Sequence, residues 1–254
     1  GEPTLGDLGD PLFAPKLEES PPAAESKLPI FTMDDLRQSH NSEPLRATPV
    51  ALEDEPAATP VVTPLVTAEE EPLVSLLYIN VNTRDQGPME AAEKHLLLKA
   101  YQRLVDQVCA IYGGTIETED NHDVLVTFDK PHEHMTHCVN ALCAAQFFFG
   151  LYKAFNEQRA SNNKSSLNIQ IVVHTGTLDD ISPLTEQAAQ LSRRERQNHM
   201  VISRHVAYHP ELQQRVLQAD NCVALASGAF SLSRLSSDYQ DLLDMQITHF
   251  SQTL

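Results

Sequence analysis

The sequence predicts an α+β protein with a ferredoxin-like βαββαβ core, followed by a C-terminal α/β extension. Three observations predict this class. The stretch Leu73 to Asn82 is almost continuously apolar, which is typical of a central strand buried on both faces. Two later stretches carry apolar residues at helical spacing. Between them lie a Gly-Gly pair and two short β runs, which predict a hairpin.

The first predicted helix begins near Pro88, because proline suits an initial helical position. It ends at Gly113-Gly114, where glycine can adopt the left-handed conformation that caps helices. The hairpin strands are Thr115 to Glu119 and Val124 to Phe128, since the acidic and amide residues between them favour a turn.

The second helix is predicted from Glu133 to Asn156, and a strand from Leu167 to His174 completes the βαββαβ order. The same patterns predict the elements of the extension. They are a helix over Leu184 to Arg194, a strand over His199 to Ser203, a helical piece ending near Leu217, strands over Cys222 to Ala226 and Phe230 to Leu235, and a helix from Ser237.

Composition divides the chain at residue 72. Residues 1–72 hold 12 of the 16 prolines, with 15 acidic and four basic residues, a net charge of −11 out of −17. Such a segment buries too little apolar surface to offset its conformational entropy. We therefore predict a disordered acidic linker over residues 1–72 and one folded domain over residues 73–254.

The acidic balance argues against nucleic acid and anionic membrane surfaces as partners, because both need a basic face. No signal peptide is visible, and a transmembrane segment could lie upstream of residue 1. The four cysteines lack metal-type pairing, so we expect reduced thiols. The sequence has no P-loop and no dinucleotide glycine pattern, and we expect no cofactor.

Three ordered stretches resemble the class III nucleotide cyclase (adenylate/guanylate cyclase) homology family. They are Tyr78-Ile79-Asn80-Val81, Gly113-Gly114 through Phe128, and Ile171 through Gly176 with Glu186 through Leu191. The resemblance covers about residues 73 to 208 and implies a ferredoxin-like core of the nucleotide cyclase type. It also implies homodimerisation, since such cyclases assemble their active sites between two chains.

Five positions where the family carries its chemistry differ in this chain. Asn80 and His122 match the two aspartates that hold the metal ions. Thr118 matches the lysine that recognises adenine, while Glu186 and Gln190 match the transition-state asparagine and arginine. Mg²⁺ requires hard oxygen ligands, so the resemblance implies that metal-dependent chemistry is lost here. We predict no catalytic residues, and a chain that is not an enzyme.

The expected function is therefore that of a non-catalytic regulatory or scaffolding domain acting through homodimerisation or an unknown protein partner. One alternative is a nucleotide or small-molecule sensor that uses the old substrate cleft without turnover. Another is an active cyclase with rearranged metal ligands drawn from Asp123, Glu119 or Glu186. The two differ in whether two carboxylates converge beside Asn80.

The overall layout also resembles the cytoplasmic parts of haemolysin-like gammaproteobacterial membrane proteins with a HAMP-type linker. That resemblance implies a position on the cytoplasmic side, tethered to the inner membrane by a segment upstream, without direct membrane contact by residues 1–254.

Three side-chain clusters have open interpretations. A metal site could use His134 with His137 or Cys138 on one helix face, with His132 as a third ligand, or these could be an exposed helix start. The run Phe147-Phe148-Phe149 is a candidate interface, because three successive helix residues cannot all face one core. The cluster Arg193 to Arg196 could bind phosphate or be an exposed helix end.

Overall fold

A computed structural model of the protein describes residues 73–82, 88–195 and 199–252. The predicted acidic linker, residues 1–72, lies outside the described residues, as does Arg196. The boundary at residue 72 and the disorder of the linker therefore stay predictions.

The strands and helices follow the predicted order. The strands are β1 (Leu73–Asn80), β2 (Thr115–Thr118), β3 (Val124–Phe128), β4 (Gln170–Thr177), β5 (Met200–Ile202), β6 (Cys222–Ala224) and β7 (Phe230–Leu232). The helices are α1 (Ala91–Tyr112), α2 (His137–Ser161), α3 (Ile181–Arg194), α4 (Arg204–Ala207), α5 (Pro210–Arg215) and α6 (Ser237–Ser251). Two 3₁₀ turns, Leu178–Asp180 and Ala219–Asn221, precede α3 and β6.

All seven strands form one sheet in the order β2-β3-β1-β4-β5-β7-β6. β1 lies at the centre of the ferredoxin-like part and is antiparallel to both β3 and β4. β4 and β5 are parallel, and the extension continues the sheet through β7 and β6. The predicted fold class is confirmed, because strands β2, β3, β1 and β4 have the order and pairing of a βαββαβ unit.

Both long helices start later than predicted. α1 begins at Ala91 with Glu90 at its N-cap, so Pro88 precedes the helix. α2 begins at His137 rather than Glu133. Glu133 and His134 have left-handed backbone conformations, with φ of 46° and 64°, inside a tight turn closed by hydrogen bonds between His132 and Met135.

The three consecutive phenylalanines of α2 are all buried, with exposures of 0%, 1% and 5% for Phe147, Phe148 and Phe149. The prediction that one of them forms an interface is wrong, because α2 is enclosed by the sheet, α1 and α6. Phe147, for example, makes edge-to-face contacts with Tyr112 on α1 and Phe250 on α6. The C-terminal helix therefore covers the side of α2 that the core strands leave open.

α2 is also long and apolar enough to cross a membrane by length and composition alone. In its most apolar window, 78% of the residues are buried inside the protein. Such burial is typical of a core helix, so its apolar composition is accounted for by packing.

The opposite face of the sheet is covered by α3, which packs on β1 and β4. Leu184 and Ala188 of α3 join a buried cluster with Val74, Leu76 and Val172 of the strands. Gly176 allows this close approach, since a Cβ there would lie 2.7 Å from the Leu184 side chain. α3 therefore lies against the face of the sheet that carries Tyr78 and Asn80.

Candidate functional site

The β2–β3 hairpin is tied to the end of β1 by the buried carboxylate of Asp123. One carboxylate oxygen accepts the backbone N–H of Val81 at 2.9 Å and the Asn82 amide at 3.1 Å. The other accepts the Tyr78 hydroxyl at 2.8 Å and the Asn121 amide at 2.9 Å. Asp123 is 1% exposed, so these four donors compensate the loss of water around its charge.

Local sequence sets this geometry. The side-chain oxygen of Asn121 accepts the backbone N–H of Asp123 at 2.8 Å, which closes an Asx turn. His122 at the tip has a left-handed φ of 70°, and its side chain is exposed. Asp123 is therefore buried, while the side chain of His122, the residue that matches a family aspartate, is exposed.

Asn80 is buried, and both the nitrogen and the oxygen of its side-chain amide form hydrogen bonds. Its amide donates to Ser192 of α3 at 2.9 Å, and its oxygen accepts the backbone N–H of Asn82 at 2.8 Å. In turn, the Ser192 hydroxyl donates to the carbonyl of Ala189. Asn80 therefore connects the end of β1 to α3.

Two carboxylates do converge beside Asn80. The Tyr78 hydroxyl lies 2.8 Å from Asp123 and 3.3 Å from Glu119. Burial raises the pKa of Tyr78 far above its usual range, and both carboxylates raise it further, so the phenol stays protonated and can donate. Glu186, the third carboxylate considered, is instead exposed on α3, where it accepts from Gln190.

Whether these residues can bind a divalent ion depends on which of their oxygen atoms are free to coordinate it. Mg²⁺ prefers an octahedron of oxygen ligands, and both oxygens of Asp123 are already engaged by protein donors. Asn80 offers one neutral oxygen, which already accepts a hydrogen bond, and His122 offers only ring nitrogens. The described residues do not fit the pair of ions that the family resemblance implies.

The five matched positions are not gathered in one cavity of the chain. Thr118 and His122 line a cavity of about 150 Å³ over α1, on the side of the sheet away from α3. Gln190 lines a different cavity beside α3, while Asn80 is buried and Glu186 is exposed. Any site that used all five would need a second chain.

The cavity beside α3 has a volume of about 530 Å³ and lies between α3, α4 and the turn before β7. We call it the cationic cavity. Its described lining residues are His174, Gln187, Gln190, Leu191, Arg194, Ser203, Arg204, His205, Tyr208, Ala224, Ser227, Gly228, Ala229 and Phe230. Two arginines and two histidines are among them, and no described lining residue carries a carboxylate.

The arginines supply the positive charge. Arg194 and Arg204 are exposed, and neither has a carboxylate within ion-pair distance among the described residues. Arg204 lies with its guanidinium carbon 5.6 Å from the ring centre of Tyr208, which meets Phe230 edge to face. The cavity therefore combines unpaired guanidinium groups with an aromatic wall.

His174 forms the floor of the cavity and is held in one tautomer. The backbone N–H of Thr175 donates to its Nδ1 at 2.8 Å, so Nε2 carries the proton and donates to Gln187 at 3.0 Å. Burial lowers the pKa of His174, and the ring of His205, stacked at 5.6 Å, lowers it further. His174 is consequently neutral at pH 7.

One residue of this cavity belongs to a cluster named in the sequence analysis. The cluster Arg193 to Arg196 was interpreted there as a phosphate site or an exposed helix end, and Arg194 lines the cavity. Arg204, His205 and Tyr208 were missed, because they follow a short strand and carry no motif. Another cavity, of about 970 Å³, shares Gln187, Arg204, His205 and Tyr208 with the cationic cavity.

The four predicted metal candidates are only partly brought together. His134 lies in the turn before α2, so it shares no helix face with His137 or Cys138, and that geometric expectation is wrong. Cys138 instead lies beside His209 and Glu211 of the extension. His132 and His134 are not part of this group in the described structure.

Comparison with solved structures identifies the architecture. The chain is similar to the adenylyl cyclase CyaB from P. aeruginosa, with a TM-score of 0.50 and 16% identity over 66% of this chain and 95% of that one. The fold is that of the nucleotide cyclases. No family model matches the sequence, and no curated protein matches it.

Two further similar structures are cyclases too. The guanylyl cyclase Cya2 has a TM-score of 0.49 at 14% identity, covering 66% of this chain and 95% of that chain. The dimeric guanylyl cyclase domain of the RhoGC fusion protein from Blastocladiella emersonii has a TM-score of 0.48 at 14% identity, covering 65% and 96%.

These comparisons correct one prediction. The expectation that the chain is not an enzyme is contradicted, because the solved structure that it matches with a TM-score of 0.50, CyaB, is an adenylyl cyclase. That expectation rested on five residue types alone, and it is not retained. At 16% identity, the similarity to CyaB establishes the fold alone.

Proposed function

We propose that this chain is a signalling domain with the nucleotide cyclase fold that binds a nucleotide, or a similar aromatic phosphate, in the cationic cavity. The observation that carries the proposal is the pair of arginines, Arg194 and Arg204, which have no carboxylate partner among the described residues of a chain of net charge −17. In so acidic a protein, two guanidinium groups facing one cavity without a counter-charge favour an anionic ligand.

The chemistry of the lining supports a phosphate. A guanidinium group presents a planar fork of donors that matches phosphate oxygens, and a charge-assisted bond of this kind is stronger than a neutral one. The cavity volume of about 530 Å³ lies within the range of small-molecule sites. Tyr208 and Phe230 offer aromatic surface for a base.

The cavity also has a connection to the cyclase fold. Gln190 and Gln187 of α3 line it, and Gln190 occupies the position that matches the transition-state arginine of the family. A ligand there would contact the helix that carries the old substrate positions. This supports a sensor interpretation, in which the cationic cavity binds a molecule and α3 responds.

Pairing of two copies is the second part of the proposal. The family resemblance implies homodimerisation, and the exposed side chains of Glu186 and Gln190 on α3 would be available to a second copy. A ligand beside α3 would then alter how the two copies pack, which is a bistable interface of the kind used in switching. Sedimentation at high micromolar concentration tests this, and a strictly monomeric chain would overturn it.

We further propose that the domain works on the cytoplasmic side of a membrane, tethered through the acidic segment to a segment upstream. Support comes from the acidic composition of residues 1–72 and the layout that the sequence resembles. Membrane fractionation of the natural full-length protein tests it. Recovery in the soluble fraction alone would contradict the tether.

Calorimetry tests the ligand proposal directly. The chain is titrated with ATP, GTP, AMP, cyclic AMP and inorganic phosphate, and at least one nucleotide should bind. Arg194→Ala and Arg204→Ala should each weaken binding about tenfold, the loss expected for a charge-assisted bond. The matched control is Arg193→Ala, because Arg193 is the neighbouring exposed residue on α3 and is not among the cavity residues. Absence of heat with every probe would overturn the proposal.

One observation favours a second candidate, an active cyclase with rearranged ligands. Glu119 and Asp123 both lie within hydrogen-bond distance of the Tyr78 hydroxyl, so two carboxylates are close together near the end of β1, and Asp123 would have to give up hydrogen bonds to bind an ion. The assay is formation of cyclic AMP or cyclic GMP from ATP or GTP with Mn²⁺, compared with Asp123→Asn and a protein-free blank. Product that disappears in Asp123→Asn supports this candidate, and product at the blank level contradicts it.

A further inference from the structure

A second cluster of reactive side chains lies where the start of α2 meets α5. The thiol of Cys138 is 3.9 Å from Nδ1 of His209 and 3.5 Å from a carboxylate oxygen of Glu211. One ligand atom from each of the three residues falls within 4.8 Å of the others. Cys138 is buried, and His209 and Glu211 are half-buried, so the group is enclosed but reachable.

These separations suit a tetrahedral zinc ion. Bonds of about 2.3 Å to sulfur and about 2.0 Å to nitrogen or oxygen place tetrahedral ligand atoms about 3.3 to 3.6 Å apart. The measured 3.5 Å and 3.9 Å require only a slight contraction. A thiolate, an imidazole and a carboxylate also form a donor set that favours zinc over Mg²⁺ or Ca²⁺.

The first turn of α2 holds a further polar atom without a partner. Nε2 of His137, the residue before Cys138, is buried and has no hydrogen-bond partner in the described structure. His137 is not part of the group whose ligand atoms lie within 4.8 Å of one another, so the proposed site uses the other three residues.

We propose that Cys138, His209 and Glu211 bind a zinc ion, with a water molecule in the fourth position. On binding, the Cys138 thiol releases its proton to solvent, and the thiolate sulfur forms a bond to zinc. The Glu211 oxygen that now accepts from Thr136 at 2.7 Å turns to the metal, while its second oxygen stays paired with Arg215 at 3.2 Å.

Such an ion would join two parts of the fold. Cys138 belongs to the βαββαβ core, whereas His209 and Glu211 belong to the C-terminal extension. His209 directly follows Tyr208, which lines the cationic cavity. Zinc would therefore fix the segment from Arg204 to Glu211 on the core and order one wall of that cavity. The zinc site itself does not depend on the proposed ligand.

The first measurement is zinc binding by the whole chain after removal of metal with a chelator. We expect one zinc per chain, a rise in Tm on adding zinc, and release of protons during the titration. With Co²⁺ in place of zinc, a thiolate-to-cobalt charge-transfer band should appear. A stoichiometry near zero, or binding without that band, would overturn the site.

Variants separate the ligands from nonspecific binding. Cys138→Ser should abolish the cobalt band, and His209→Ala and Glu211→Gln should weaken zinc binding by more than about a hundredfold, since losing outer-sphere partners alone costs about 10–100-fold. Cys109→Ser is the matched control, because it removes a half-buried thiol from α1 and should leave binding unchanged. Circular dichroism checks that each variant folds. Unchanged zinc affinity in a folded Glu211→Gln or His209→Ala variant would contradict the proposal.

Discussion

The hairpin end of β1 and the cationic cavity both gather polar side chains, yet those side chains are bonded in opposite ways. At the hairpin end, the Asp123 carboxylate accepts four hydrogen bonds from protein donors, and the Asn80 side chain uses both its amide and its oxygen. In the cavity, Arg194 and Arg204 have no carboxylate partner among the described residues.

This comparison indicates which of the two regions would gain free energy from binding a ligand. A buried group whose hydrogen bonds are all made within the chain contributes to stability and gains little from a ligand. Charged groups that share a cavity without a counter-charge can gain a partner only from outside. Substitutions should therefore change stability at the hairpin end and binding at the cavity.

The largest change in stability is expected for Asp123→Ala. It leaves the Val81 N–H buried without an acceptor and the Tyr78 hydroxyl with only the longer contact to Glu119, so the free energy of unfolding should fall by about 3 kcal/mol. Asp123→Asn is the control, since it keeps one of the two acceptor oxygens and should lose less. Urea unfolding followed by circular dichroism measures both. A loss below about 1 kcal/mol for the alanine variant would mean that Asp123 is free for another role.

A smaller effect is expected at the contact between Asn80 and Ser192. In a double-mutant cycle of Asn80→Ala and Ser192→Ala, the coupling energy should be about 1 kcal/mol, the usual net value of one hydrogen bond. Pairing Asn80→Ala with Ser231→Ala gives a control cycle, since Ser231 of β7 makes no contact with Asn80 and should show no coupling. Equal coupling in the two cycles would remove the specific link between β1 and α3.

Local patterns predicted most of the fold, because periodicity and turn residues decide strands and helices. The strand that begins at Leu73 and the C-terminal cap of α1 at Gly113 both lie where expected, and Gly113 has the left-handed φ of 76° that favours glycine. The start of α2 was mispredicted because the left-handed conformations of Glu133 and His134 carry no sequence signal. The burial of all three phenylalanines, Phe147 to Phe149, was missed because part of it depends on α6, about a hundred residues later.

The candidate sites were harder to predict, since each joins distant parts of the chain. Arg194 and Arg204 face one cavity only because β5 places α4 beside α3. Cys138 and His209 are 71 residues apart, so no motif spacing could connect them. The residue types at Asn80 and His122 could be matched to a family, but the enclosure of Asp123 by four donors needed the structure.

Acid should destabilise the protein through His174. The pKa of folded His174 is lowered by burial and by His205, whereas an unfolded histidine binds a proton near its usual value of about 6.5. Below that value the unfolded chain therefore binds more protons than the folded one, so stability falls as pH decreases from about 7 to about 5. His174→Gln should reduce this dependence in unfolding experiments at several pH values. A residual dependence is expected from His137, whose pKa burial also lowers.

The smallest expected effect on stability is the one that separates the two regions most sharply. The double variant Arg194→Ala/Arg204→Ala removes two exposed cations that have no carboxylate partner, so its free energy of unfolding should stay within about 0.5 kcal/mol of the parent. The same variant should lose nucleotide binding about a hundredfold, if the two tenfold losses are independent. A double variant that unfolds more easily by about 2 kcal/mol would show that the arginines support the fold. In that case the cavity would resemble the hairpin end, and its charge would no longer be an argument for a ligand.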